Sequence, residues 1–271
     1  MTPVDLKTAL GDRKLVIVTG ASNGIGAACL EKLVTEGYSV LGLDRASSEA
    51  GKDSGHSPRA TQSSTSVRFD RAPGKSAVFE CDVRDYSRMS DIADDLKHAE
   101  LTVNGIVNVA GVSPTGDVFE TTDEEWERTF AVNVGGIRNT TRAFAPLMHR
   151  PASIVNVASG AGLRALPQLA AYVASKHAAV GLTKAMALDL AGRNVRVNCV
   201  CPGQVDTALA RQVQEGRKGE SRERAASLSD YMIPRIGLPR EIAEPVSFLL
   251  SDSASYITGS TVSVDAGRTQ H

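Results

Sequence analysis

The chain has 271 residues, 42% of them hydrophobic, with 30 Lys and Arg set against 31 Asp and Glu. That length can bury a sizeable core, and the near balance of charge creates no field to draw in nucleic acid or an anionic membrane surface, which leaves a small molecule as the expected partner. No apolar stretch approaches the roughly 20 residues of a membrane span, the first residues lack the features of a signal peptide, and a cytoplasmic protein is therefore expected. The four cysteines, Cys29, Cys81, Cys199 and Cys201, form neither a CxxC pair nor a Cys/His cluster at metal-ligand spacing, so packing is their expected role and no metal is expected.

Strand-like apolar runs occur at Leu15 to Thr19, Ser39 to Leu43, Ala77 to Glu80, Gly105 to Val109, Ser153 to Val157, Val195 to Val200 and Thr261 to Val264. Helical periodicity lies between them. Ile25 to Glu36 places Ile25, Ala28, Cys29 and Leu33 on one side and Glu31, Lys32 and Glu36 on the other, and Gly37 ends it. Thr122 followed by Glu125 reads as a capping box, opening a helix that runs through Trp126 and Phe130 toward Met148. Seven strands separated by helices imply right-handed parallel crossovers, hence a single α/β domain with a doubly wound seven-stranded parallel sheet and helices on both faces. Such a sheet binds ligands where its strands end. One segment breaks the rhythm: residues 46–76 are rich in Ser, Gly, Arg and Pro and read as an exposed flexible insertion. The stretch after the sixth strand, residues 206–232, is expected to be a substrate lid whose charged run, Arg217 to Arg224, is a solvated helix face or, alternatively, a charge partner for an acidic substrate.

The residues just past each strand carry the chemistry. Gly20, Ser22, Asn23, Gly24, Ile25 and Gly26 form a glycine-rich turn that leads directly into a helix, where close backbone approach and unpaired N–H groups suit a pyrophosphate. Asp44 ends the second strand, where a carboxylate can accept from ribose hydroxyls and repel a 2′-phosphate, which favours NAD over NADP; the adjacent Arg45 could bind that phosphate instead. Tyr172 and Lys176 lie four residues apart and share a helix face, so the ammonium can favour phenolate in a group that otherwise titrates near about 10.

The glycine spacing at 20, 24 and 26, the Tyr172-x-x-x-Lys176 pair and Ser159, thirteen residues before Tyr172, together resemble the short-chain dehydrogenase/reductase family, and the likeness spans residues 14 to 268. That resemblance implies that Ser159 holds the substrate oxygen, Tyr172 is the general acid/base, and Asn133 positions a water and Lys176 for proton relay. It further implies adenine contacts from Asp82 and Val83, and cofactor contacts from Asn108, Ala110 and Gly111, where Val109 stands at the family's second Asn position. Pro202, Gly203, Val205 and Thr207 are similar to its nicotinamide- and phosphate-facing element, and Ala266 stands where glycine is common. The implied activity is hydride transfer between NAD(H) and a secondary alcohol or ketone, in a homotetramer packed through helices near 122 to 148 and 168 to 191. Two alternatives stay open: an NADPH-dependent, oxoacyl-type carbonyl reductase governed by Arg45, and a dinucleotide-sensing protein without turnover. Leu163, Leu166, Gln168, Leu169 and Leu209 are the candidate substrate-pocket residues.

Overall fold

The computed structural model describes residues 3–11, 13–45, 66–67, 74–219, 223 and 228–270. Helix α1 (Pro3–Leu10) precedes strand β1 (Leu15–Thr19), helix α2 (Gly24–Thr35) and strand β2 (Ser39–Asp44). Strands β3 (Ser66–Val67) and β4 (Lys75–Glu80) lead to α3 (Tyr86–His98) and β5 (Val103–Asn108). Next come α4 (Asp123–Phe130), α5 (Gly136–Phe144), β6 (Met148–Val157), α6 (Ala170–Ala191) and β7 (Val195–Pro202), followed by α7 (Ala208–Gly216), α8 (Pro239–Leu250) and β8 (Thr261–Val264). The sheet order is β3-β4-β2-β1-β5-β6-β7-β8. Seven strands are parallel, as the alternating pattern predicts, and the two-residue β3 adds an antiparallel edge. Most of the 46–76 insertion lies outside the described residues, as do residues 220–222 and 224–227 of the expected lid.

Strand alternation divides the core in two. Leu15, Ile17, Leu41, Leu43, Ile106, Ile154 and Val197 face one side, where α1, α3, α5 and α6 bring Leu6, Leu10, Met89, Ile92, Leu96, Phe144 and Ala179 against them. Val16, Val18, Val40, Val107, Val155 and Val200 face the other, covered by Leu30, Leu33 and Val34 of α2 and by Ile242, Val246 and Leu249 of α8. Both faces of the central strands β1, β2, β5 and β7 are therefore dry, which is why these strands read as largely apolar runs. All four cysteines are buried and free.

Two expectations change. The helix foreseen from Thr122 toward Met148 does open on the Thr122/Glu125 capping box. It then passes through a π-helical segment, Ala131–Gly135, before resuming as α5 and stopping at Phe144. Strand β6 begins at Met148, five residues before the apolar run, because His149, Arg150 and Pro151 are exposed and leave no hydrophobic signature.

The winding reverses between β1 and β5, which pair directly. Beyond the carboxyl ends of two strands wound in opposite directions a crevice must open, because their crossover connections leave on opposite faces.

Candidate active site

The crevice is a cleft of about 370 Å³ built from those strand ends. After β1, Gly20 and Gly24 adopt left-handed backbone, with φ of 67° and 54°. A side chain at Gly20 would press on Ala110 backbone at 3.1 Å, and one at Gly26 would stand 2.0 Å from the Gly20 carbonyl oxygen. Glycine at 26 is thus a packing requirement of the turn, while Gly20, Asn23, Gly24 and Ile25 line the cleft. Asn23 caps α2 with extended backbone and without a side-chain bond, which leaves the first helical N–H groups open to an anion. Thr19 closes the other wall: its hydroxyl accepts from Val109 N at 3.0 Å and Ala110 N at 3.2 Å, tying the end of β5 to that of β1.

Asp44 stands at the end of β2, where its carboxylate accepts from Ser22 N and Arg45 N, both at 2.8 Å. Asp44 and Arg45 both line the cleft; Ser22 shapes it through that bond. Asp82 and Val83 line it too, but the Asp82 carboxylate is gripped by Arg84, whose Nη2 lies 2.7 Å from Oδ2 and whose Nε lies 3.0 Å from Oδ1. That ion pair is the main reason the Asp82 carboxyl is held below the usual range. Asn108 is not in the wall: it is buried and donates to Asn156 Oδ1 at 2.8 Å, which joins β5 to β6, while Ala110 and Gly111 line the cleft beyond it.

The second wall comes from β6, α6 and β7. Ser159 follows β6 and lines the cleft, where its hydroxyl oxygen accepts from Ala161 N at 3.1 Å and its hydroxyl also pairs with the Tyr172 phenol. Tyr172 and Lys176 sit on the first turns of α6, with Lys176 Nζ 5.6 Å from the centre of the Tyr172 ring. Lys176 is 4% exposed and donates to the Val157 carbonyl oxygen at 3.1 Å; burial pushes its pKa down to about 8. Tyr172 departs from expectation. Burial pushes its phenol up, and the neighbouring Ser159 hydroxyl opposes that rise only in part. The simple sequence argument, a cation lowering a phenol, omits the desolvation that both groups suffer when α6 places them against the sheet.

Asn133 falls inside the π-helical segment, a local widening found at functional sites. It does not line the cleft. Its Oδ1 accepts from Val112 N at 2.8 Å, and its Nδ2 donates to Val112 O and Ser175 Oγ, both at 2.9 Å, so it fastens the loop after β5 to the helix turn that carries Tyr172 and Lys176. A side chain on Gly111 would meet both Asn133 Oδ1, at 3.3 Å, and Lys176 Nζ, at 3.5 Å, which places the two groups around one point.

Pro202, Gly203, Val205 and Thr207 line the cleft after β7, and the Thr207 hydroxyl accepts from Ala210 N at 3.2 Å as the cap of α7. Of the expected pocket residues, Leu166, Leu169 and Leu209 line the cleft; Leu163 and Gln168 do not. Lining residues without a sequence signal include Ser113, Gln214 and Arg268. Arg217, expected on a solvated face or, alternatively, as a charge partner for an acidic substrate, lines the cleft and is 8% exposed, because the chain turns inward where α7 ends.

A family model described as enoyl-(acyl carrier protein) reductase matches residues 20–269. A 2-(S)-hydroxypropyl-CoM dehydrogenase of Xanthobacter autotrophicus is 37% identical, with 94% of this chain and 96% of that protein covered. The 3-oxoacyl-acyl-carrier-protein reductase of Thermotoga maritima is 31% identical over 94% of this chain and 97% of its own length. Among solved structures, the ligand-free aldohexose dehydrogenase of Thermoplasma acidophilum superposes with a TM-score of 0.77 at 34% identity, covering 96% of this chain and 95% of that one.

Proposed function

The chain belongs to the short-chain dehydrogenase/reductase family, and on that premise we propose that it transfers a hydride between NAD(H) and a secondary alcohol or ketone, with Tyr172 as general acid/base. The observation that carries this reading is the convergence of Ser159, Tyr172 and Lys176 on one cleft opposite the glycine turn. The donor set fits a dinucleotide: left-handed glycines that a Cβ would crowd, an uncapped helix start for pyrophosphate, and an Asp44 carboxylate at the ribose position. When bound, the nicotinamide supplies or accepts the hydride.

The chain's own groups handle the proton. Ser159, beside the Tyr172 phenol, turns its O–H to the substrate oxygen and so fixes the reacting carbon. Tyr172 gives its phenolic proton to that oxygen in reduction and takes one from it in oxidation; such positioned transfer contributes about 10²- to 10⁴-fold. Lys176, held by Val157 and pushed by burial to a pKa of about 8, exchanges the proton onward. Asn133 is a positioning residue that keeps the Val112 loop and the Ser175 turn in register.

The reading also includes a cytoplasmic homotetramer, supported by the exposed Phe119 and Trp126 around α4 and Leu188 on α6, the helices expected to meet neighbouring subunits. Arg45, lining the same wall as Asp44, supports the NADPH alternative. Calorimetric titration of NADH and NADPH on wild type and Asp44→Ala separates the two. The NAD reading expects NADH to bind more tightly and the variant to lose about tenfold or more of that affinity, as for a hydrogen bond to a charged group. Tighter NADPH binding that survives the change would transfer the role to Arg45.

A further inference from the structure

Five buried side-chain polar atoms among the described residues have no hydrogen-bond partner, and three of them, Ser113 Oγ, Arg217 Nε and Arg268 Nε, belong to residues lining the cleft that also holds Ser159 and Tyr172. Buried polar groups are normally satisfied, and buried charges are normally paired. Arg217 is more than nine-tenths buried and has no acidic partner among the described residues; burial and the charge of Arg268 both press its pKa down. Arg268 stacks over Tyr231 at 5.0 Å and donates to its hydroxyl at 3.2 Å, which holds the guanidinium in place without neutralising it. The nearest carboxylate in sequence, Asp265, is taken by Gly267 N, Thr269 N and Thr269 Oγ1. Two like charges are thus held side by side, facing a cleft.

Their place in the cleft says what they face. Helix α7 starts at Thr207, against the glycine turn, where a side chain on Gly24 would meet Thr207 Cγ2 at 3.0 Å. Its nine residues carry the chain roughly 13 Å onward at 1.5 Å per residue. Gly216 ends against Thr115, and Lys218 N donates to Gln168 Oε1 at 3.0 Å, so Arg217 sits at the far end from the phosphate-cradling turn. Leu166, Leu169, Leu209 and Val213 supply apolar wall within the same cleft.

We infer that Arg217 and Arg268, with Ser113, form an anion subsite that binds the terminal oxyanion of a hydroxy or oxo substrate whose apolar segment reaches toward Ser159 and Tyr172. The inference rests on the hydride-transfer reading of this cleft and narrows its substrate class. A guanidinium fork suits carboxylate, sulfonate and phosphate alike.

The test has a binding arm and a turnover arm. Calorimetry on the NADH-saturated protein compares hexanoate, hexane-1-sulfonate and hexyl phosphate with neutral hexanamide; the ranking of the three anions identifies the headgroup. Initial rates compare 4-oxopentanoate and 5-oxohexanoate with their primary amides. The subsite predicts an anion preference on the order of tenfold to a hundredfold in Kd and kcat/KM, collapsing toward parity in Arg217→Gln and Arg268→Gln. Arg217→Lys, which keeps the charge and loses the fork, should retain part of it, and melting curves identify any variant that has lost its fold. Equal binding of hexanoate and hexanamide by wild type, or a preference untouched by both glutamine variants, overturns the inference. Reduction of neutral ketones as fast as oxo-acids removes the subsite and leaves hydride transfer standing. Arg217-dependent anion binding with no reduction of any oxo compound removes hydride transfer instead.

Discussion

The two halves of the cleft are built on opposite principles. The nucleotide-facing half is made of backbone at the ends of β1, β2, β4 and β5, and its polar groups are mostly spoken for: Thr19 serves Val109 and Ala110, Asp44 serves Ser22, and Asp82 holds Arg84. The substrate-facing half leaves Ser113, Arg217 and Arg268 with buried atoms unmatched. A ligand common to a whole family can be met by a wall fixed in the fold. A ligand particular to one chain must be met by side chains that wait for it, at a cost in stability.

Substitutions in the two halves should therefore fail differently, beginning with the most damaging. Gly26→Ala forces a methyl against the Gly20 carbonyl oxygen, where only 2.0 Å is available. It is expected to cost about 3 kcal/mol, the upper part of the overpacking range, and to abolish NADH binding. Denaturant unfolding and cofactor titration check it, and a stable variant that binds NADH would break the claim that this half is fixed by backbone contact. Thr19→Val leaves two inward N–H groups unmatched and should cost about 1–3 kcal/mol. Its cofactor affinity should fall with its melting temperature.

Lys176 belongs to the wall that carries Ser159 and Tyr172, between the halves, and its titration gives the smallest effect. Burial lowers its folded pKa to about 8, whereas an unfolded lysine titrates near about 10.4. Between those values the unfolded chain binds more protons, so stability rises with pH from about 8 upward; at pH 7 that gain is absent. The Tyr172 shift acts the other way only at more alkaline pH, because its pKa is raised. The difference in stability between wild type and Lys176→Met, followed from pH 7 to 9.5, should grow in favour of wild type as pH increases. A flat difference would mean that Lys176 is not desolvated as described.

The same contrast explains what the sequence discloses. A parallel strand buried on both faces leaves an unbroken apolar run, so β1 is read to the residue, and the glycine turn and the Tyr172/Lys176 pair are read because each is a short local pattern. Helix α1 passes unnoticed because two buried leucines, Leu6 and Leu10, are too few to set a period. The π-helical turn around Asn133 depends on Val112 and Ser175, which are distant in sequence, and no local spacing encodes it. Arg217 looks like one more charge in a solvated run until α7 ends and turns it inward beside Arg268, fifty-one residues on. The nucleotide half is a matter of local pattern and is largely legible; the substrate half is assembled from remote residues and is legible only in part, through Leu166, Leu169 and Leu209.

The central claim, that Tyr172 moves the proton during hydride transfer, is tested most directly by comparing Tyr172→Phe with wild type in single-turnover reduction of 4-oxopentanoate by bound NADH, with NADH affinity measured on the same samples. The account predicts that the variant binds NADH as wild type does while its rate falls by at least about 10²-fold, since the ring that fills the site remains and only the proton is gone. Turnover at the wild-type rate in a variant with intact NADH binding would contradict it.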